Sequence, residues 1–111
     1  MDKQKTFDVV ARHLLKQGCR ATTEEGMCQY RDEYGRKCAI GILIPEDRYS
    51  PSLEGRDVKS WSCKELEIIN ATLEDVSFLQ ELQRLHDGFP VSAWPEKLFL
   101  FANWHDIRWS G

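Results

Sequence analysis

Met27-Cys28-Gln29-Tyr30-Arg31-Asp32-Glu33-Tyr34-Gly35-Arg36-Lys37-Cys38-Ala39-Ile40-Gly41-Ile42-Leu43-Ile44-Pro45 is the stretch on which the fold turns. Its first five residues alternate, Cys28 and Tyr30 on one side and Gln29 and Arg31 on the other, with the period of a half-buried strand. Asp32-Glu33-Tyr34-Gly35 reads as a turn in which Gly35 supplies a positive φ, and Arg36-Lys37-Cys38 can return as a second strand. A short β-hairpin over residues 27–38 is therefore expected. The apolar run from Cys38 to Ile44 suits either a buried strand or a short buried helix, because so few residues do not separate the two periods. Pro45 ends either one. Since Pro45-Glu46-Asp47-Arg48-Tyr49 continues naturally as a helical turn begun at proline, the helix is favoured, against the pull of the β-branched Ile40, Ile42 and Ile44.

Outward from this centre the periodicity is helical. Phe7, Val10, Ala11, Leu14 and Leu15 form a stripe at i, i+3, i+4, i+7 and i+8, with Thr6 as N-cap and Gly18 just past the end. Residues 50–57 are rich in turn formers and read as an ordered surface loop. A helix is expected from Cys63 to Leu73 with Leu66, Ile69 and Leu73 on one face, and a separate one from Leu73 to His86, stopping at Gly88. Ser92 can cap a last helix carrying Trp94, Leu98, Phe101, Ala102 and His105. That helix also holds Phe99, Leu100 and Trp104, so it is apolar nearly all round and must be central to the core or partly covered by another chain. The expected fold is α+β: one domain over residues 1–111, mostly helical with about four to five helices and one short hairpin.

Composition narrows the functional classes. A chain of 111 residues that is 41% hydrophobic, with twelve aromatics and a net charge of −3, can hold one core without a metal or disulfide staple. Its longest apolar stretch, Cys38 to Pro45, is far short of the roughly 20 residues that span a bilayer. The N-terminus shows no secretory signal pattern, so a cytoplasmic location is expected. Charge runs from +2 over residues 1–37 to −4 over residues 64–111. No basic face is dense enough for nucleic acid, because Arg31, Arg36 and Lys37 are interrupted by Asp32 and Glu33. Cys19, Cys28, Cys38 and Cys63 lack the short-range pairing of a structural zinc site and read as free thiols; no metal and no cofactor are expected.

Three groups of residues can carry chemistry. His86-Asp87 and His105-Asp106 each close a helix, where the imidazoles complement the C-terminal dipole; alternatively His86 and His105 meet over a cleft as acid and base or as metal ligands. Cys38 is the best nucleophile candidate, if a helix begins there beside Arg36 and Lys37, although it opens the most apolar segment of the chain. Tyr30, Arg31, Tyr49 and Glu54 either fasten the 50–57 loop through an Arg31–Glu54 pair or line a pocket suited to a phosphate or nucleobase. Trp104 and Trp109 offer a partner-binding surface, with a homodimer through the aromatic C-terminal helix as one use of it.

The segment Cys28-Gln29-Tyr30-Arg31, the turn to Gly35, Lys37-Cys38-Ala39-Ile40-Gly41-Ile42-Leu43-Ile44-Pro45, Tyr49 and Glu54-Gly55 resembles a family of small phage and prophage proteins of unassigned function. Gln17-Gly18, Leu85-His86-Asp87, Trp94, Leu98 and His105 extend the resemblance, while the charged turn Asp32-Glu33-Tyr34 and the Trp-rich C-terminus depart from it. The resemblance implies a viral or prophage source and a bacterial cytoplasm, and no activity. The expectation is a phage accessory protein acting by non-enzymatic binding to a host macromolecule, with an unidentified host protein as partner and the blocking of a host enzyme or defence factor as one use of that binding. The alternative is a nucleotide-like small-molecule binder or small hydrolase using Tyr30, Arg31, Glu54, His86 and His105.

Overall fold

Asp2 opens the first helix of the computed structural model, which describes residues 1–109, by accepting from the Lys5 backbone N–H at 3.0 Å. Helix α1 (Lys3–Gln17) buries Phe7, Val10, Ala11 and Leu14, the stripe expected from the periodicity, and ends at Gly18 in the left-handed region with φ 66°. Its start lies before Thr6, which sits within the helix. Helix α2 (Cys63–Glu67) is opened by a reciprocal cap between Ser62 and Glu65. It stops early because Asn70 takes φ 55° and the Ala71 N–H turns back to the Leu66 carbonyl at 3.0 Å. Leu73, expected on its buried face, is 67% exposed. Helix α3 (Val76–Gly88) follows a 3-10 turn at Leu73–Asp75, with the Asp75 carboxylate accepting from the Thr72 N–H at 2.8 Å. Helix α4 (Trp94–Trp104) carries Pro95 in its first turn, where no N–H is missed.

Helix α3 is the wall between two apolar clusters. On one side Phe78, Leu82 and Leu85 meet Phe7 and Leu14 of α1 and Trp94 and Leu98 of α4. On the other, Leu79 meets Tyr30, Ile40, Leu53, Trp61 and Leu66, which lie beneath the loops of residues 19–62. Helix α4 is not buried all round: Trp94, Leu98, Phe101 and Ala102 face the core, and Phe99, Leu100 and Trp104 face out.

The α+β expectation is overturned. The described residues form an all-helical fold with four α-helices and no sheet; the expected hairpin over residues 27–38 is replaced by two small turns, each closed by one isolated bridge, Thr22 with Cys28 and Arg31 with Lys37. The reason lies in the backbone donors. The N–H groups of Tyr30 and Arg31, which a strand partner would take, go to the two oxygens of the Glu54 carboxylate at 2.8 and 3.0 Å. Asp32 takes the N–H groups of Tyr34 and Arg36 at 2.9 Å each and closes the second turn from inside. With those donors committed to carboxylates, no ladder can propagate.

The apolar run after Cys38 is helical rather than a strand, as favoured, but only as one 3-10 turn, Gly41–Leu43, and a second such turn, Glu46–Arg48, follows Pro45. Here Gly41 is required by close approach, since a Cβ on it would lie 1.8 Å from the Tyr30 carbonyl oxygen. Two α1 side chains latch the segment: Gln17 bonds both the N–H and the carbonyl of Lys37 at 2.9 Å, and His13 Nε2 reaches the same carbonyl at 2.8 Å. No helix among the described residues is long and apolar enough to cross a membrane.

Candidate functional site

Tyr30, Arg31, Tyr49 and Glu54 do come together, and Glu54 is the hub. Besides the two backbone donors, its carboxylate accepts from the Tyr49 hydroxyl at 2.6 Å. Burial, and then the neighbouring Glu54 carboxylate, push the Tyr49 hydroxyl up to about 12. Arg31 meets Glu54 through its backbone, not its guanidinium. That group lies 4.3 Å above the Tyr49 ring and donates to Glu46 at 2.6 Å, with Lys37 on the other Glu46 oxygen. The Tyr30 hydroxyl donates to the Arg56 carbonyl, and its ring turns inward against Trp61. The recess that Arg31 and Tyr49 line also presents Glu24, Glu25, Asp32 and Glu33. Asp32 is buried and paired with Arg36, but Glu24, Glu25 and Glu33 remain around a guanidinium already paired with Glu46, a setting that disfavours a phosphate, and the bonds the set makes here fasten the loops to one another.

His86 and His105 lie at different places. Their α3 anchor points, His86 itself and the Glu81 that His105 pairs with at 2.6 Å, are five residues apart, about 140° around the helix. The His105 ring packs against Phe101 and Phe78. His86 is fully buried, stacked on Trp94 with ring centroids 5.4 Å apart. Its Nδ1 lies 2.7 Å from Asp87 Oδ1 and 4.0 Å from Cys28 Sγ, while the Ala21 N–H points at Nε2 from 3.4 Å. With a donor facing Nε2, the neutral ring carries its proton on Nδ1 and gives it to Asp87. Burial lowers the pKa of His86, but Asp87 and Cys28 outweigh it and the net direction is up.

The sequence reads Cys28 as a free thiol outside any metal site and gives Gln83 no role, yet the Gln83 amide nitrogen sits 2.9 Å from both Cys28 Sγ and Asp87 Oδ1. The spacing of Gln83 and Asp87 on one helix is a signal that could have found the second; nothing local brings Cys28 to His86, 58 residues away. The cluster is not a nucleophile relay. Such a relay needs the thiol and the carboxylate on opposite ring nitrogens, and here both face Nδ1. A hydrogen bond with Cys38, and then burial, push the Cys28 thiol well above its ordinary range, away from the thiolate. Cys38 itself has no exposure and accepts the Gly41 N–H at 3.3 Å. The cations beside it are engaged elsewhere, Arg36 with Asp32 and Lys37 with Glu46. Cys19, Cys28, Cys38 and Cys63 are all free thiols.

Trp104 and Trp109 part ways. Trp109 folds back edge-on to Phe7, centroids 5.4 Å apart, and the adjacent Arg108 backbone is held at both its N–H and carbonyl by Gln4. Trp104 is 83% exposed, beside Leu100 at 49% and Phe89 at 38%. These three line an open groove of about 430 Å3 between α3 and α4, whose charged residues are Glu81, Arg84 and Lys97. Glu81 is paired with His105, and among the described residues neither Arg84 nor Lys97 has a carboxylate partner; the Lys97 ammonium sits 4.5 Å over the Phe89 ring. No family model matches the chain, and no curated protein or solved structure with which it was compared is similar to it.

Proposed function

We propose that this chain is a non-catalytic binding protein that docks another protein in the α3–α4 groove. One observation carries the reading: Trp104 stands 83% exposed on a helix whose other face is core. A tryptophan left in water forgoes a large burial gain, and Trp is the residue most enriched at the energetic centres of interfaces. The unpaired Arg84 and Lys97 specify the chemistry of the occupant, a segment with an apolar stripe flanked by carboxylates, such as an amphipathic acidic helix. A second copy of this chain is the poorer occupant, because the one carboxylate its groove would bring, Glu81, is already paired with His105, which leaves Arg84 and Lys97 without a partner. Taken with the resemblance to phage proteins, the partner is a bacterial host protein met in the cytoplasm, and occupying its interface would inhibit it. The commitment of Cys38, His105 and Glu54 to internal contacts supports binding over turnover.

The test uses the full chain, immobilised, against bacterial lysate. Wild type and Tyr34→Ala, which removes an exposed aromatic from a distant turn, are expected to retain one protein in near-stoichiometric amount. Trp104→Ala and Lys97→Glu are expected to lower that retention about tenfold or more. Retention indifferent to both substitutions, or a Trp104-dependent dimer in sedimentation with no other protein retained, overturns the reading.

A further inference from the structure

Away from that groove, the loop carrying Cys28 meets the last turn of α3. We propose that Cys28, His86 and Asp87 form a binding site for a thiophilic divalent cation, of which Zn2+ is the natural occupant. Their Sγ, Nδ1 and Oδ1 atoms all lie within 4.8 Å of one another. In a tetrahedral zinc site, bonds of about 2.0 to 2.3 Å put neighbouring ligand atoms roughly 3.3 to 3.7 Å apart. The sulfur and nitrogen at 4.0 Å need to close slightly, and the nitrogen and carboxylate oxygen at 2.7 Å need to open. Asp87 can supply that movement, being in the last turn of α3 with 39% of its side chain exposed.

What fills the centre of the cluster also points to a cation. The side-chain NH2 of Gln83, which can only donate, stands 2.9 Å from both the sulfur and the carboxylate oxygen, while its carbonyl oxygen is turned away to the Ile40 N–H. The Cys28 sulfur and the Asp87 oxygen are thus turned toward the same place as His86 Nδ1, and N–H groups that a metal ion can displace satisfy them there, one from Gln83 and one from the His86 ring itself, whose lone pair returns to Nδ1 once its proton moves to Nε2. The ring of His86 is held by full burial and by Trp94, so its direction is fixed before any ion arrives. Cys28, Gln83 and Asp87 also line an open recess of about 220 Å3, which gives an entry path and room for a water as fourth ligand. A thiolate, an imidazole and one carboxylate select Zn2+ over Mg2+ or Ca2+, which take oxygen shells.

The proton bookkeeping is specific. On binding, the Cys28 thiol gives its proton to solvent, the sulfur–metal bond forms, and the His86 ring proton moves from Nδ1 to Nε2. There it meets the Ala21 N–H that now points at Nε2 from 3.4 Å, so the backbone at Ala21 has to shift. An ordinary surface thiol that happened to bind metal would leave Ala21 untouched.

The test takes the reduced, metal-free full chain and titrates it with Co2+, then Zn2+. One Co2+ per chain is expected, with thiolate-to-cobalt charge-transfer absorption that Zn2+ removes and a displaced Ala21 amide resonance. Cys28→Ser is expected to abolish the band, Asp87→Asn to weaken binding about tenfold or more, and Cys63→Ser, at an exposed thiol, to change nothing. No band at one equivalent, a band that survives Cys28→Ser, or one lost with Cys63→Ser overturns the proposal. Should Cys28→Ser fail to fold, alkylation of wild type decides: Zn2+ should protect Cys28 and leave the Cys63 rate unchanged, and an unprotected Cys28 refutes the site.

Discussion

On one side of α3, α1 and α4 close over Phe7, Leu14, Leu82, Trp94 and Leu98, and the contacts are between apolar side chains. On the other, residues 19–62 contain nothing longer than three-residue 3-10 turns and are fastened by side chains that bond backbone: Glu54 on Tyr30 and Arg31, Asp32 on Tyr34 and Arg36, Gln17 on Lys37. Both sides bury large residues, but they tolerate change differently. Apolar contacts can repack at modest cost, whereas removing one partner of a buried hydrogen bond leaves the other with nothing. The helical side is therefore the robust platform that can spare Trp104 to solvent, and the loop side depends on a few atoms.

The sharpest way to break this contrast is Gly41→Ala. Its Cβ would meet the Tyr30 carbonyl at 1.8 Å, backbone against backbone, and a loss of more than about 4 kcal/mol is expected from urea unfolding. A loss below about 1 kcal/mol would mean the loop segments slide apart freely, and the contrast fails. Glu54→Ala comes next. It strips partners from two backbone N–H groups and the Tyr49 hydroxyl, and should cost about 3 kcal/mol. Native-state hydrogen exchange should then speed at Tyr30 and Arg31 while α1 and α4 stay protected; uniform loss of protection would show that the two sides do not differ.

The smallest effect concerns pH. Burial raises the Asp32 carboxyl pKa, but Arg36 and the backbone donors of Arg36 and Tyr34 outweigh it and hold the value below its ordinary range. A carboxyl whose folded pKa is depressed contributes stability above its unfolded pKa, about 3.9, and loses that contribution as pH falls through the folded value. Asp32→Ala should therefore cost about 1 kcal/mol at neutral pH, with the difference from wild type narrowing below about pH 4. A gap that widens in acid contradicts this.

How much could be read from the residues follows the same divide. The buried stripes of α1, α3 and α4 obey the helical period, so Phe7, Leu82 and Leu98 announce themselves. The alternation of Cys28 and Tyr30 has strand period but belongs to turns, because its hydrogen-bond partner is a carboxylate more than twenty residues later. Glu54 was visible as a partner of Arg31, though not as a clamp on its amide. Leu73 broke the pattern of its helix because the chain reverses at Asn70. At the site, the pairing of His86 with Asp87 is written in their adjacency, whereas the approach of Cys28 depends on how the loop after α1 folds back over α3.

The proposal that the Trp104 groove is the binding surface is tested most directly by hydrogen exchange on the full chain, free and in complex with the protein it retains. Added protection is expected along the groove, from Arg84 to Phe89 and from Lys97 to Trp104, with the amides of residues 28–57 unchanged. Protection confined to the loop side, with α4 exchanging as in the free chain, would contradict it.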